Sequence, residues 1–347
     1  MKKIRFKKLA FVLAIFFSVL LFAYLGNAAT IEMRIAHAYP DHTQHGRNMI
    51  FFKTKVEDYT KGQVKVTIYP AASLFPIDKE IPMLLAGTVE ACYSIGGVTE
   101  AIDPAEAIWN IPFLFKVAPG NGEHVRAAMN SPKVEGILAQ RQAKKGIKRL
   151  GTVPTLFGFF VVGNNRRPVE KLEDMKGLKI RHPGGMMGPL YIGEVGASAM
   201  TIPGAEVPVA LNQGVVDGLV TTIVHYHDAR WHTKYLTLPF YCSYSLPFLV
   251  NLKWWEKLPP EIQQIIEKKV MPELMDFAFK EVAEREKSYV AEIQKPPYNV
   301  KVSSLSEAEI ERWTKAIRPK AIEKFVKAVG NDGQIMVDEV LRLRPIK

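Results

Sequence analysis

Between residues 31 and 97 the chain alternates three short apolar runs with two helix-patterned segments, and that order admits few folds. Ile31–Ala36 reads as a strand and leads into His37, Ala38, Tyr39, Pro40, Asp41 and His42. A helix is expected over 43–59, stopped by Lys61-Gly62. Residues 64–69 alternate as a strand, 76–86 are helical, and 90–95 form an apolar strand closed by Gly96-Gly97. Strand, helix, strand, helix, strand is the signature of a parallel sheet with helices on its faces. Ligands of such sheets sit beyond the carboxyl ends of the strands. That rule singles out residues 37–42, His37 and His42 among them, after the first strand, and 95–99, with Ile95 and Gly96, after the third.

The pattern returns after a basic stretch at 144–149. Residues 156–162 read as a strand, and 178–181 as another that opens into His182-Pro183-Gly184-Gly185. Helices are expected over 187–195 and 205–213, and a strand over 216–224. Two such units with no low-complexity linker point to two α/β lobes, and the length agrees. From 259 to about 295 the apolar positions recur at three- and four-residue steps, bounded by Pro259-Pro260 and Pro296-Pro297. At 1.5 Å per residue this helix would be about 50 Å long, enough to touch both lobes, with a kink at Pro272. Residues 299–302 alternate as a strand. Ser306 and Glu309 form a capping box for a last amphipathic helix, interrupted at Pro319.

The N-terminus sets the compartment. Lys2, Lys3, Arg5, Lys7 and Lys8 precede an apolar run from Leu9 to Leu25, and Gly26-Asn27-Ala28 offers small residues for cleavage. Residues 1–28 are therefore expected to be a signal peptide, with the mature protein in the periplasm. No Cys follows the run to carry a lipid. Removing 1–28 takes away five positive charges and no negative ones, so the net charge falls from +11 to +6. No polybasic block remains, so nucleic acid is not expected as a partner, and a mildly positive field favours an anion. Cys92 and Cys242 both sit in apolar surroundings and read as two separate buried thiols.

No phosphate loop, dinucleotide fingerprint, nucleophile elbow or zinc-protease motif occurs in the chain. Two histidine groups could in principle hold zinc. One is His37, His42 and His45 around Asp41; the other is His225, His227, Asp228 and His232. Neither has a zinc motif's spacing, and loop residues lining a polar cleft explain them as well, so neither a metal nor a cofactor is expected. Arg181 is more informative. It closes an apolar strand and precedes a Pro-Gly-Gly turn that lets other atoms come close, which suits a bidentate grip on a carboxylate. On this local pattern alone a surface ion pair fits equally well.

The neighbourhood resolves that tie. Residues 169–185 (Val-Glu-Lys-Leu-Glu-Asp-Met-Lys-Gly-Leu-Lys-Ile-Arg-His-Pro-Gly-Gly), then Gly196-Ala197-Ser198, Glu206-Val207 and 210–218 (Ala-Leu-Asn-Gln-Gly-Val-Val-Asp-Gly), come in a telling order. Together with 59–66, 85–90 and 111–115 they resemble the solute-binding subunits of tripartite ATP-independent periplasmic (TRAP) transporters, of the dicarboxylate-binding-protein type. The resemblance covers nearly all of the mature chain. It implies an α/β, two-lobed periplasmic-binding-protein-like fold with hinge-crossing strands and a long helix spanning both lobes. One lobe would be 29–155 with about 245–285, the other 156–244 with about 286–330, and 331–347 a C-terminal tail helix. It further implies closure around a ligand without chemistry, and partnership with the small and large TRAP membrane subunits. Arg181 matches the family arginine that pairs with the ligand carboxylate. Thr221 stands where an asparagine commonly contacts ligand.

The departures narrow the ligand. Many relatives carry a second arginine on the strand that here reads Phe159, Phe160 and Val161, and some carry a glutamate where this chain has Ile95. Pro208 replaces a usual tyrosine. Met186 and Met187 beside the glycine loop add adaptable apolar contact. The expected ligand is thus a small monocarboxylate with an apolar or aromatic body, touching Arg181, Thr221, Phe160, Ile95, Gly96, His37, His42, Met186 and His225. His37, His42 or His225, protonated or holding a metal, would be the route to a second anion partner. Two other functions fit the residues less well: a secreted metal-dependent hydrolase using the histidines, and a ligand-binding sensor lobe.

Overall fold

The computed structural model describes residues 30–117, 121–155, 160–239 and 245–345. The expected signal peptide, the first four residues of the strand expected at 156–162, and Cys242 lie outside these. Among the described residues eleven strands form two sheets. The first takes β1 (Ile31–Ala36), β2 (Val64–Tyr69), β3 (Ala91–Tyr93), β4 (Ile147–Pro154) and β10 (Ser245–Asn251), in the order β2-β1-β3-β10-β4. The second takes β5 (Phe160–Asn164), β6 (Lys179–His182), β7 (Ser198–Thr201), β8 (Gly218–Thr222), β9 (Tyr235–Leu238) and β11 (Lys301–Ser304), in the order β11-β9-β5-β8-β6-β7. β1 pairs in parallel with β2 and β3, as the alternating pattern requires, whereas β10 runs antiparallel between β3 and β4. The chain therefore passes from the first sheet to the second after β4, and back before β10.

Both faces of each sheet are covered. Along β1, Met33 and Ile35 join one apolar cluster with Phe52 and Phe248, while Ala36 faces a second with Ile81, Leu84 and Leu249. In the second sheet Val162, Ile180 and Val220 face one way, and Val161 and Leu219 the other. β3 and β8, buried along their whole length, carry no charged side chain.

Two long helices tie the sheets together. The expected long helix is a helical run from Pro260 through Glu292 with a π-helical turn, Ile266–Val270, just ahead of Pro272. Pro272 has no N–H to return to Lys268, and its ring crowds that carbonyl, so the ladder widens there. Its last segment packs on the helix Gln44–Tyr59 and on β4 from the first sheet, and on the helix Ile223–Asp228 from the second. The helix Glu307–Val329 starts as expected, with Ser306 Oγ accepting the Glu309 N–H. It is not interrupted at Pro319. That residue is exposed, so water can serve the freed Lys315 carbonyl, while Trp313, Ile317, Ala321 and Phe325 hold the inner face. This helix bridges the turn Pro104–Asn110 of the first unit and the helix Met187–Glu194 of the second. A second correction concerns 216–224: the strand stops at Thr222, whose side chain caps a helix by accepting the His225 N–H at 2.9 Å.

Candidate functional site

The carboxyl ends of the two sheets face each other. Backbone meets backbone there, since a Cβ on Gly97 would stand 3.1 Å from Gly184 C and Gly185 N. Only residues without side chains permit that approach.

On the first side, His37 follows β1 and is buried, and its Nδ1 accepts the Tyr39 N–H at 3.3 Å. The loop then folds back on the helix Gln44–Tyr59. Gly46 makes this possible, for a Cβ there would lie 2.4 Å from Asp41 Cα and from the Pro40 carbonyl oxygen. Thr43 caps the helix by accepting the Gly46 N–H. The helix phase turns Gln44, His45 and Asn48 inward. His45 stacks on Tyr39 with ring centres 4.0 Å apart, and Asn48 Nδ2 donates to the buried Tyr93 hydroxyl of β3 at 3.1 Å. Ser94, Ile95 and Gly96 follow, all buried.

On the second side, Arg181 is the penultimate residue of β6, with 3% of its surface exposed. Its Nε donates to the Ile202 carbonyl at 2.8 Å, and its guanidinium carbon lies 5.2 Å from the centre of the Trp231 ring. The His225 ring meets Trp231 edge-on at 4.9 Å, and meets His45 and Tyr39 the same way at 5.7 Å each. The rings thus run unbroken from Arg181 across to the first sheet. Among the described residues two arginines and no lysine are buried. Arg149 is held by Glu106 at 2.6 Å and Glu135 at 2.7 Å, inside the first unit.

Burial keeps these imidazoles uncharged. It pushes His37 down to about 4, and His225 also to about 4 with the Arg181 charge adding to it. His45 falls well below the usual histidine value through burial and then through His225.

Two further contacts join the sides. The Met186 N–H donates to Glu100 Oε2 at 2.7 Å. Asp228 Oδ2 accepts the Gln44 N–H at 3.0 Å, at the start of the first unit's helix, with Arg47 at 3.9 Å. Burial opposes Asp228 ionisation, but the hydrogen bonds from His227 and Gln44 outweigh it and its pKa is lowered.

Of the residues singled out in the sequence, His37, Ile95, Gly96, Arg181 and Thr221 are buried at these strand ends, and His225 is half-buried with its Nδ1 out of solvent. Met186 is half-buried and engaged through its backbone. His42 is exposed, its carbonyl taken by Arg47. Phe160 stands opposite Thr222 in the β5–β8 ladder, and Thr221 opposite Val161. Nothing in the sequence singles out Gln44, Asn48, Tyr93 or Trp231; Tyr39 falls within the loop 37–42 at the first strand's end, and His45 within a candidate metal group. The histidine groups do not close into a coordination shell, since His227 stacks on Tyr289 at 3.6 Å and His232 on Tyr298 at 4.9 Å. No group of three or more His, Cys, Asp or Glu fit to hold a metal occurs among the described residues.

Residues 35–328 match the family described as bacterial extracellular solute-binding protein, family 7 (DctP). The chain belongs to that family. The family 7 protein is 31% identical to a solute-binding protein of Verminephrobacter eiseniae over 68% of its own length and 69% of the relative's. It is 24% identical to the C4-dicarboxylate-binding periplasmic protein DctP of Rhodobacter capsulatus over 84% and 86%. It is similar to the crystal structure of a TRAP periplasmic solute-binding protein from Ochrobactrum anthropi, with a TM-score of 0.80 and 27% identity over 91% and 96% of the two chains. Family 7 consists of binding proteins and not enzymes, so the hydrolase alternative falls. None of the described helices is long and apolar enough to cross a membrane.

Proposed function

We propose that this family 7 protein captures a small monocarboxylate with an apolar or aromatic body, through Arg181, and delivers it to TRAP membrane subunits. In this reading 1–28 is a cleaved signal peptide and the protein works in the periplasm. Residues 29–155 with about 245–285 form one lobe, and 156–244 with about 286–330 the other. The lobes close on the ligand.

The observation that carries the reading is the setting of Arg181. It is a buried cation at a strand's carboxyl end, ringed by Trp231 and His225, where the two sheets approach. A guanidinium there can offer a carboxylate two parallel, charge-assisted hydrogen bonds. The neutral histidines favour one carboxylate over two. A second carboxylate buried nearby needs a cation or several donors, or its desolvation opposes binding. Protonated histidine was the remaining route, and burial closes it for His37 and His225 at neutral pH. The Rhodobacter relative is named for C4-dicarboxylates, and in this respect the present chain departs from it.

A thermal-shift panel tests this with succinate, a sialic acid, a branched 2-oxo acid and an aromatic acid of similar size, since a ligand of the native state raises the midpoint. A shift with the last two and none with the first two is expected. Tight binding of succinate or the sugar acid alone overturns the monocarboxylate reading.

A further inference from the structure

The ring cluster next to Arg181 holds hydrogen-bonding atoms that the protein does not use, and two have chemistry settled by their neighbours. His37 Nδ1 receives the Tyr39 backbone N–H, which can only donate. That nitrogen therefore carries no proton. In the neutral ring the proton sits on Nε2, which is buried without a partner. The Gln44 amide nitrogen donates to the Pro154 carbonyl at 3.1 Å, and a carbonyl can only accept. The amide is thereby oriented, and Gln44 Oε1 is left as a buried acceptor without a partner. Asn48 Oδ1, His45 Nδ1 and His225 Nδ1 are likewise buried and unpartnered.

These residues are linked. Gln44 and His45 are consecutive, His45 stacks on Tyr39, Tyr39 bonds to His37, and Asn48 bonds to Tyr93, whose ring centre lies 6.4 Å from that of His45. Native proteins leave few buried polar atoms unsatisfied. Five linked in one cluster, none of them ionised, call for a partner from outside the chain. Arg47 Nη2, also buried without a hydrogen-bond partner, already faces the Asp228 carboxylate at 3.9 Å, and a bare hydrocarbon would leave all five unpaired.

We infer that the ligand's second recognised feature is an uncharged group that both donates and accepts hydrogen bonds, received by Gln44 Oε1 and His37 Nε2–H. The ligand class is then a monocarboxylic acid bearing a hydroxyl or a ring N–H on its apolar or aromatic body. This rests on Arg181 holding the carboxylate, and the experiment separates the two claims.

Calorimetry is run on two matched series that differ only at the end away from the carboxylate. One is butanoate, 4-hydroxybutanoate and succinate. The other is phenylacetate, 4-hydroxyphenylacetate and 4-carboxyphenylacetate. In the series that binds, the hydroxyl member should bind on the order of tenfold or more tighter than the plain acid and than the diacid. Gln44→Met and His37→Phe should each collapse the preference for hydroxyl over hydrogen to about threefold or less. Two variants in different segments guard against one failing to fold, and circular dichroism checks both. The inference is overturned if the plain acid or diacid binds tightest, or if both folded variants keep the wild-type preference. Arg181→Ala separates the underlying reading: it should abolish binding of every member. Undiminished binding there refutes the arginine anchor while leaving the hydroxyl preference measurable, and no binding by any member of either series overturns both.

Discussion

His225 offers the sharpest test of the described electrostatics. Its ring titrates near 6.5 in the unfolded chain but at about 4 in the folded protein, because burial and the Arg181 charge oppose protonation. Between those values the unfolded chain binds more protons, so this residue's share of stability is present at pH 7 and lost as the pH falls. From pH 7 to pH 5 the loss is about 2 kcal/mol, against a typical total of about 5–15 kcal/mol. The wild-type profile alone does not reveal it. Glu80, raised to about 8 by burial, and Glu106, raised to about 7 by burial against the pull of Arg149, hold protons that the unfolded chain releases. They favour the folded state as the pH falls. The comparison must therefore be between variants. Urea titrations at pH 7 and pH 5 should find that His225→Gln gains about 2 kcal/mol relative to wild type on acidification, and Glu80→Gln loses about 2 kcal/mol. If His225→Gln tracks the wild type across this range, the ring is not the buried neutral group described, and the exclusion of a second anion fails with it.

Other substitutions probe closure and packing. Gly97→Val places a branched side chain against the Gly184-Gly185 backbone and should weaken ligand binding about tenfold or more in calorimetry, with the unliganded melting midpoint nearly unchanged. Asp228→Asn keeps an acceptor for the Gln44 N–H but loses the charge at the helix start and beside Arg47. Affinity should fall by about 0.5–2 kcal/mol, and the wild type's advantage should shrink in high salt. Arg149→Met leaves Glu106 and Glu135 without their shared cation in a buried setting, and urea unfolding should register a loss of about 3–5 kcal/mol.

The first βαβαβ unit was legible because its strands alternate and its helix start carries Thr43 as a cap. β4 and β10 were not, although they pair with each other along most of their length. Pro154, Pro247 and Gly151 interrupt their patterns, and nothing local announces a partner nearly a hundred residues away. β7 and β9, four residues each, are too short to show a period. Pro319 read as a break because sequence does not say whether a proline will face water. In the site, Arg181 was visible from the glycine turn beside it. Trp231 was not, because its contact with Arg181 arises from strand register and from the helix that Thr222 starts. The histidines of the first group divide on helix phase. His42 precedes the cap and faces solvent, while His45, three positions on, turns inward against Tyr39.

The central claim is that one buried guanidinium anchors the ligand. Arg181→Ala and Arg181→Lys, titrated calorimetrically with the tightest-binding carboxylate, test it most directly. Removing the guanidinium leaves the carboxylate buried and unpaired, so Arg181→Ala should cost about 2–5 kcal/mol of binding free energy. Arg181→Lys should recover only part of that, since a single ammonium cannot present the planar fork. Wild-type affinity in Arg181→Ala, with the fold intact by circular dichroism, would contradict the account.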